Sequence, residues 1–590
     1  MKKISFAALL AAAAALAAPG LASAAGVAYP DAVWSEHSID VPDGTVLHGD
    51  LLLPKGLAEG EKVPVIVSIG PYFGHSGQVG AAGPAQGGVA YDPVGPSVGP
   101  SDRFKDFIDG AKIFTRGQKY AFLMVDNRGY GGSTGCLDWG GPGEIADVVA
   151  TVNWAAAQDW STGQVGTYGK SYDGMTGLMA AAEEPAGLKA VIAQEPVYDN
   201  YRYLYGDGIR RLNSLATPAL YDAIAVSPQP VADIPTNPGY AVASQSDNLA
   251  RPGCLAANWV DQAGNDDHFH PYWRTRNIIE NIKVSQVPIF VLQGMTENNT
   301  APDGLAEFLE NHPGPERGWL GPWNHVRGAE MEGNKLAMGR AGWYDEAMAF
   351  YDEHLAGVAP TKNYAPFAIQ SVTTGKWRPE AQWPPADATD VVVTELKPGT
   401  YTDSGQSTRT SSSGIWTVSE PLPYSVHTAG AGTVTVDVSS PTPRSNLVVD
   451  VYDLDATGTG PLVARNGSLI RSNGKVKIDL MSADWTFVKG HRIGIRVTDT
   501  NTDWWLATVP TNQTVTVYGG KVTLPFLTYG RGATSQAVAG ESGTQRAAWM
   551  GNTVSAPADS LTPENDVAFT LPPAPTAQPA EMKAQLDAFE

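Results

Sequence analysis

The chain has 590 residues, with 64 glycines and 44 prolines among ordinary apolar content. It is too long for one core, so two or three domains rich in turns and β structure are expected. A formal net charge of −21 argues against nucleic acid or an anionic membrane as a partner.

Residues 1–24 read as an export signal. Lys2 and Lys3 precede an apolar run over residues 6–18, and Ala22-Ser23-Ala24 supplies a small-x-small cleavage site. The mature protein is expected to be soluble outside the cytoplasm, secreted or periplasmic, with no later segment apolar enough to cross a membrane. Around Asp43-Gly44 two alternating runs, S-I-D-V-P and V-L-H-G-D-L-L-L-P, read as paired strands. Residues 63–69, V-P-V-I-V-S-I, form a continuous apolar run of the kind buried in a parallel sheet. The run ends at Gly70-Pro71-Tyr72. Open α/β sheets place their sites in loops leaving the C-terminal ends of central strands. Tyr72 there can donate its hydroxyl to an oxyanion, or simply pack beside a turn.

Residues 77–100, rich in glycine and proline, are expected to form an ordered loop over the site. Helical character over 107–117 and a buried strand over 120–125 follow. The strand runs into Asp126-Asn127-Arg128-Gly129, whose charges are expected to brace loops. A literal G-x-S-x-G occurs at residues 131–135, but the glycine- and proline-rich sequence after it cannot open a helix, so Ser133 is a decoy. Cys136 and Cys254 are the only cysteines. Export favours a disulfide between them over two buried thiols. Two cysteines cannot close a zinc site, and neither H-x-x-x-H nor an EF-hand loop appears, so no metal and no cofactor is expected. His268 and His270 read as polar loop residues.

An amphipathic helix over 144–159 leads into the most informative stretch, G-T-Y-G-K-S-Y-D-G-M-T-G-L-M over residues 166–179. Residues 164–168 are β-prone, Gly169 and Gly174 bracket a tight turn, and helix formers fill 175–184. A serine on a sharp strand-to-helix turn is a nucleophile elbow. It exposes Oγ of Ser171 above the sheet and aims the helix N-terminus and the Tyr172 backbone N–H at an incoming carbonyl oxygen. The match to G-x-S-x-G is imperfect, because Asp173 takes the last glycine position.

A further strand over 188–193 ends at Glu195. From about 197 to 283 the β/α alternation stops, consistent with a cap inserted over Ser171 whose aromatic and acidic residues line a pocket. Alternation resumes at 287–292 and leads to Glu297, after which Gly321-Pro322-Trp323-Asn324-His325 follows. The order serine, acid, histidine suits Ser171, Glu297 and His325, with the imidazole as general base. Asp303 is the alternative acid.

After about residue 366, threonine, serine, valine and glycine dominate in alternating runs, as in a β-sandwich or jelly roll. The expected organisation is a signal over 1–24, a catalytic domain over 25–365, a β domain over 366–570 and a tail over 571–590. Trp377, Trp383, Trp504 and Trp505 suit core or interdomain packing better than a carbohydrate platform.

Gly169-Lys-Ser-Tyr-x-Gly174 resembles the nucleophile motif of Xaa-Pro dipeptidyl-peptidases and of the related cocaine-esterase and α-amino-acid ester hydrolase group. Asp126-x-Arg128-Gly129, Trp160-Ser-x-Gly163-x-Val-Gly166, Tyr198-Asp199-x-Tyr201-Arg202 and Gly321-Pro-Trp-x-His325 extend the resemblance over nearly the whole mature chain. It implies an α/β-hydrolase fold with an inserted, mostly helical cap, followed by a C-terminal all-β jelly-roll domain. It also implies a Ser171/acid/His325 triad and oxyanion donors from the Tyr72 hydroxyl and Tyr172 N–H. Glu297 departs from the aspartate usual in the group. An amino-terminal dipeptidase must also bind a substrate ammonium, for which Asp173, Glu195, Asp199 and Asp207 are candidates. The functions in view are release of Xaa-Pro dipeptides from peptide N-termini, an esterase or acylase acting on small esters or amides, and a secreted glycan-binding protein.

Overall fold

The computed structural model describes residues 31–73, 105–226, 240, 243–332, 334–408, 413–502, 506, 508–532, 534–535 and 543–589. The export segment, the loop expected at 77–100, Trp504 and Trp505 lie outside the described residues.

Continuous apolar runs become strands buried along their whole length. Such strands are β3 (Val63–Gly70), β4 (Ala121–Asp126) and β9 (Ile289–Gly294). With β1 (Ala32–Asp40), β2 (Val46–Pro54), β5 (Ser161–Lys170), β6 (Leu188–Gln194) and β10 (Glu316–Gly321) they belong to one mixed sheet. Its order is β1-β2-β4-β3-β5-β6-β9-β10-β13-β14, where β13 is Phe367–Gln370 and β14 is Trp377–Glu380. From β4 to β13 all neighbours are parallel. The β1–β2, β2–β4 and β13–β14 pairs are antiparallel. Alternate residues face opposite sides: Val65, Val67 and Ile69 enter one core cluster and Ile66 the other. Helices on both faces are what such strands require. They include α1 (Lys105–Ala111), α2 (Pro142–Ala157) and α3 (Tyr172–Glu183), with α10 (Leu305–Asn311) and α11 (Trp343–Ala356) after the insertion.

The first sheet does not end at residue 365, where composition changes. Strand β13 pairs in parallel with β10, and β14 closes that edge antiparallel. Hydrogen-bonding partners, not threonine content, decide where the sheet stops.

Between β6 and β9 the described residues carry short helices and one tiny hairpin. The helices are α4 (Asn200–Leu204), α5 (Asn213–Val226), α6 (Ala243–Ala250), α7 (Gly253–Gly264), α8 (Pro271–Arg274) and α9 (Ile278–Asn281). The hairpin pairs β7 (Tyr205–Gly206) with β8 (Ile209–Arg210). Cys254 on α7 is disulfide-bonded to Cys136, with Cα atoms 5.6 Å apart, which pins the insertion to the loop after β4.

Beyond β14 the described residues are all-β except for two short helices and 3-10 turns. One sheet runs in the order β22 (Gly474–Asp479), β19 (Thr433–Ser439), β25 (Thr514–Leu527), β18 (Val426–Gly430) and β23 (Ala483–Phe487), with β15 (Ala388–Glu395) and β16 (Gly399–Thr402) also on β25; the other runs β17 (Ile415–Val418), β24 (Arg492–Thr498), β20 (Ser445–Leu454), β21 (Thr459–Ile470) and β26 (Thr553–Ser555). The strands that matter below are β19 (Thr433–Ser439), β20 (Ser445–Leu454), β21 (Thr459–Ile470) and β24 (Arg492–Thr498). Val434, Val436 and Val438 of β19 share a core with Val449 and Val451 of β20 and Ile493 and Ile495 of β24, so the two sheets pack face to face. In the tail, residues 580–587 form a short helix, and its Leu586 is buried.

Candidate active site

The loops leaving the C-terminal ends of β3, β5, β6, β9 and β10 carry Tyr72, Ser171, Glu195, Glu297 and His325 in turn. Ser171 sits between β5 and α3 with φ 64° and ψ −120°, a left-handed backbone that a non-glycine residue holds only where its surroundings impose it. The imposition is visible. Ser171 N–H donates to the Gln194 carbonyl at 2.9 Å, and its own carbonyl accepts from Met175 N–H at 2.9 Å. A Cβ on Gly169 would lie 2.3 Å from the Asp173 carbonyl oxygen, so the turn requires glycine there. The misplaced Asp173 is accommodated from the other side: its buried carboxylate rests against Gly70, where a Cβ would stand 1.9 Å from Asp173 Oδ1.

Glu297 is fully buried. Its Oε1 accepts from Asn299 N–H at 2.7 Å, and its Oε2 accepts from Thr300 Oγ1 and Ala301 N–H at 2.5 Å each. His325 Nδ1 lies 3.4 Å from Glu297 Oε1, a close contact short of hydrogen-bond alignment. Burial works to raise the Glu297 carboxyl, but the His325 contact, Thr300 and Ala301 together hold it below its ordinary 4.5. For His325, burial and then the Lys170 charge push the imidazole down to about 4, against the pull of Glu297. Lys170, the residue before Ser171, donates from Nζ to the His325 carbonyl at 2.6 Å. That bond ties the histidine loop to the elbow. A neutral imidazole backed by an anionic carboxylate, in a loop tied to the residue before a strained serine, suits nucleophilic acyl transfer.

Tyr172 opens α3, where a first-turn backbone N–H has no acceptor within the helix. Its hydroxyl donates to Glu144, whose oxygens lie 2.7 Å away and whose carboxyl is pushed up to about 7 by burial. The Tyr72 hydroxyl lies 2.6 Å from that of Tyr221 on α5. Sequence reasoning missed Tyr221 and Glu144. Tyr221 lies in the insertion, where no periodicity marks it, and Glu144 reads as an ordinary first-turn acid of α2.

Three of the candidate ammonium ligands are engaged in contacts within the chain. Glu195 is fully buried at φ 43° and accepts from Gln293 Nε2 at 2.9 Å, Gly294 N–H at 3.0 Å and Trp323 Nε1 at 2.8 Å. Asp199 caps α4 by accepting from Tyr201 N–H at 2.8 Å and pairs with His268 Nε2 at 2.7 Å. Asp207 accepts from Ser468 Oγ at 2.5 Å, joining the β7–β8 hairpin to the all-β domain. Asp173 is buried against Gly70 as described. The alternative acid, Asp303, pairs with Arg211 at 2.6 Å and accepts from Asn466 Nδ2 at 3.1 Å, while Glu297 is the residue that meets His325. The decoy Ser133 is buried, donating to the Asp126 carbonyl at 2.6 Å. Arg128 braces loops through Asp147 and Asp43 at 2.7 and 2.8 Å. His270 accepts from Tyr272 N–H at the start of α8. Among the described residues no group of three or more His, Cys, Asp or Glu could hold a metal ion.

The family model described as X-Pro dipeptidyl-peptidase (S15 family) matches residues 43–327. A putative Xaa-Pro dipeptidyl-peptidase of Streptomyces avermitilis is 26% identical over 405 residues, covering 65% of this chain and 54% of that one. The cocaine esterase of a Rhodococcus species is 25% identical over 346 residues, covering 52% of this chain and 58% of its own. The chain thus spans little more than half the length of these curated relatives. Among solved structures, an α-amino acid ester hydrolase matches with a TM-score of 0.60 at 17% identity, covering 86% of this chain and 98% of that one. An aminopeptidase from a marine sediment Thaumarchaeota archaeon matches at 0.61 and 17%, covering 87% and 98%. At such identities the structural likeness speaks for the fold alone.

Proposed function

We propose that the chain, whose residues 43–327 match the X-Pro dipeptidyl-peptidase (S15 family) model, is a serine hydrolase working through an acyl-enzyme on Ser171 and releasing Xaa-Pro dipeptides from peptide N-termini. One observation carries the reading. The Glu297–His325 contact is tied by Lys170 to the serine turn itself. In the proposed cycle His325 takes the Ser171 proton as Oγ attacks the carbonyl carbon, and the Tyr72 hydroxyl and Tyr172 N–H receive the oxyanion. Collapse of the tetrahedral intermediate expels the amine, which takes the proton from His325. Water, deprotonated by the same imidazole, then frees the acyl group and restores Ser171.

A second reading, an esterase or acylase on the same machinery, is favoured by the engagement of Glu195, Asp199 and Asp207 in structural contacts, which takes three carboxylates away from a substrate ammonium. The same proposal makes the fold an α/β-hydrolase with a helical cap and a jelly roll, and places the protein outside the cytoplasm. The sheet order supports the first and the Cys136–Cys254 bridge the second.

Hydrolysis of Ala-Pro-p-nitroanilide set beside p-nitrophenyl butyrate separates the two substrate readings. Turnover of the anilide with negligible ester cleavage supports the peptidase, and the reverse supports the esterase. The S171A variant should fold and be inactive on both. Undiminished turnover by S171A would remove the proposal, and a chain that fluorophosphonate cannot label would leave the glycan-binding function standing.

A further inference from the structure

The acid loop after β9 is held from two sides. Toward the first domain, Thr296 Oγ1 donates to the Trp323 carbonyl at 3.0 Å, and Asn298 N–H meets Asn324 Oδ1 at 3.4 Å. Toward the second domain stands Arg465 on β21, only 2% exposed. Its Nη2 donates to the backbone carbonyl of Glu297 at 2.9 Å and to Asn298 Oδ1 at 2.7 Å. Its guanidinium lies 5.0 Å from the centre of the Trp549 ring. The next residue of the same strand, Asn466, binds Asp303 at the far end of the loop. Ala301, within the loop, packs in the same cluster as Leu462 and Leu469 of β21.

This guanidinium is buried at a cost. Burial and then the Arg211 charge push it down to about 10, so it occupies a place where its charge is not favoured by solvation. Its donors go to the peptide of the triad acid itself. That carbonyl is one bond from the Glu297 Cα, so holding it restrains ψ of Glu297 and with it the direction in which the side chain leaves the backbone. The second bond goes to Asn298, whose N–H reaches the residue before His325.

We propose that Arg465, contributed by the all-β domain, is a positioning residue for the Glu297–His325 pair, so that the second domain is part of the catalytic apparatus. This rests on the serine-hydrolase reading above. Loss of the fork would leave a buried carbonyl without its donor and let the carboxylate drift from the imidazole; a misplacement of about 1 Å can cost about 10²-fold in rate.

The test uses the full chain with R465M, R465K, E297Q and the E297Q/R465M double variant. It measures kcat and KM on whichever substrate is turned over, together with the rate of fluorophosphonate labelling of Ser171. R465M should lower kcat and labelling by about 10²-fold with KM little changed. R465K, which keeps a charge but not the planar fork, should recover part of the loss. In the E297Q background R465M should cost nothing further, because the pair it positions is already broken. An R465M enzyme with wild-type kcat and labelling overturns the inference, as does the same loss with and without E297Q. Should R465M fail to fold, R465K decides alone: an unaltered kcat and labelling rate overturns it, and a several-fold loss in both upholds it. A wild-type chain unlabelled at Ser171 would bring down the hydrolase reading itself, which separates the two failures.

Discussion

Two glutamates end neighbouring strands of the same sheet, Glu195 after β6 and Glu297 after β9, and both are wholly buried. Their surroundings drive them apart. Glu195 is enclosed by neutral donors from Gln293, Gly294 and Trp323, and burial followed by the charge of Glu297 lifts its carboxyl well above the ordinary range. Glu297 has an imidazole in front and two short donors behind, and stays anionic. The charge of Glu297 opposes ionisation of Glu195, and where environments separate a pair, roles separate with them. Glu195 is the peg that fixes Trp323 and so the histidine loop. Glu297 is the charge that faces the histidine.

The same substitution at the two sites should therefore give opposite results. E297Q removes the charge that orients and stabilises a protonated His325, and kcat should fall by about 10⁴-fold in steady-state assays with the fold retained. Next in size is Y72F, which deletes the proposed oxyanion donor and should cost about 10²- to 10³-fold in kcat, with KM nearly constant. The pH profile comes third. His325 must be neutral to accept a proton, and its imidazole is pushed down to about 4. kcat/KM should hold through neutral and mildly acidic pH and fall only as pH drops through about 4, where an unperturbed histidine would lose activity near 6.5. Smallest is E195Q. The glutamine NH2 would face donors from Gln293, Gly294 and Trp323, so stability should fall by about 1–3 kcal/mol in denaturant titration, with kcat within an order of magnitude. A collapse of activity in E195Q would mean that the two glutamates had been assigned the wrong way round.

Much of this was legible from local pattern. The apolar runs at 63–69, 120–125 and 188–193 are strands β3, β4 and β6 within a residue or two, because burial on both faces of a parallel sheet leaves a continuous signature. The elbow was readable because Gly169 answers a close backbone approach that no other residue permits. The order of Ser171, Glu297 and His325 followed from strand ends. What escaped was contact between distant segments. Nothing near residue 195, 199 or 207 says whether a carboxylate faces a ligand or a neighbouring loop; Trp323, His268 and Ser468 decide that, and they lie far along the chain. Tyr221 and Arg465 reach Tyr72 and Glu297 across 149 and 168 positions, which periodicity cannot see. β13 and β14 escaped because composition marks chemistry, whereas strand pairing marks the sheet's edge.

The proposed role of Ser171 is tested most directly by mapping where a fluorophosphonate attaches. Digestion and mass spectrometry of the labelled wild-type chain should find one adduct, on the peptide carrying Ser171, and labelling of the E297Q chain should be slowed by orders of magnitude. An adduct on Ser133 or another serine, or labelling of Ser171 that is indifferent to the loss of Glu297, would contradict it.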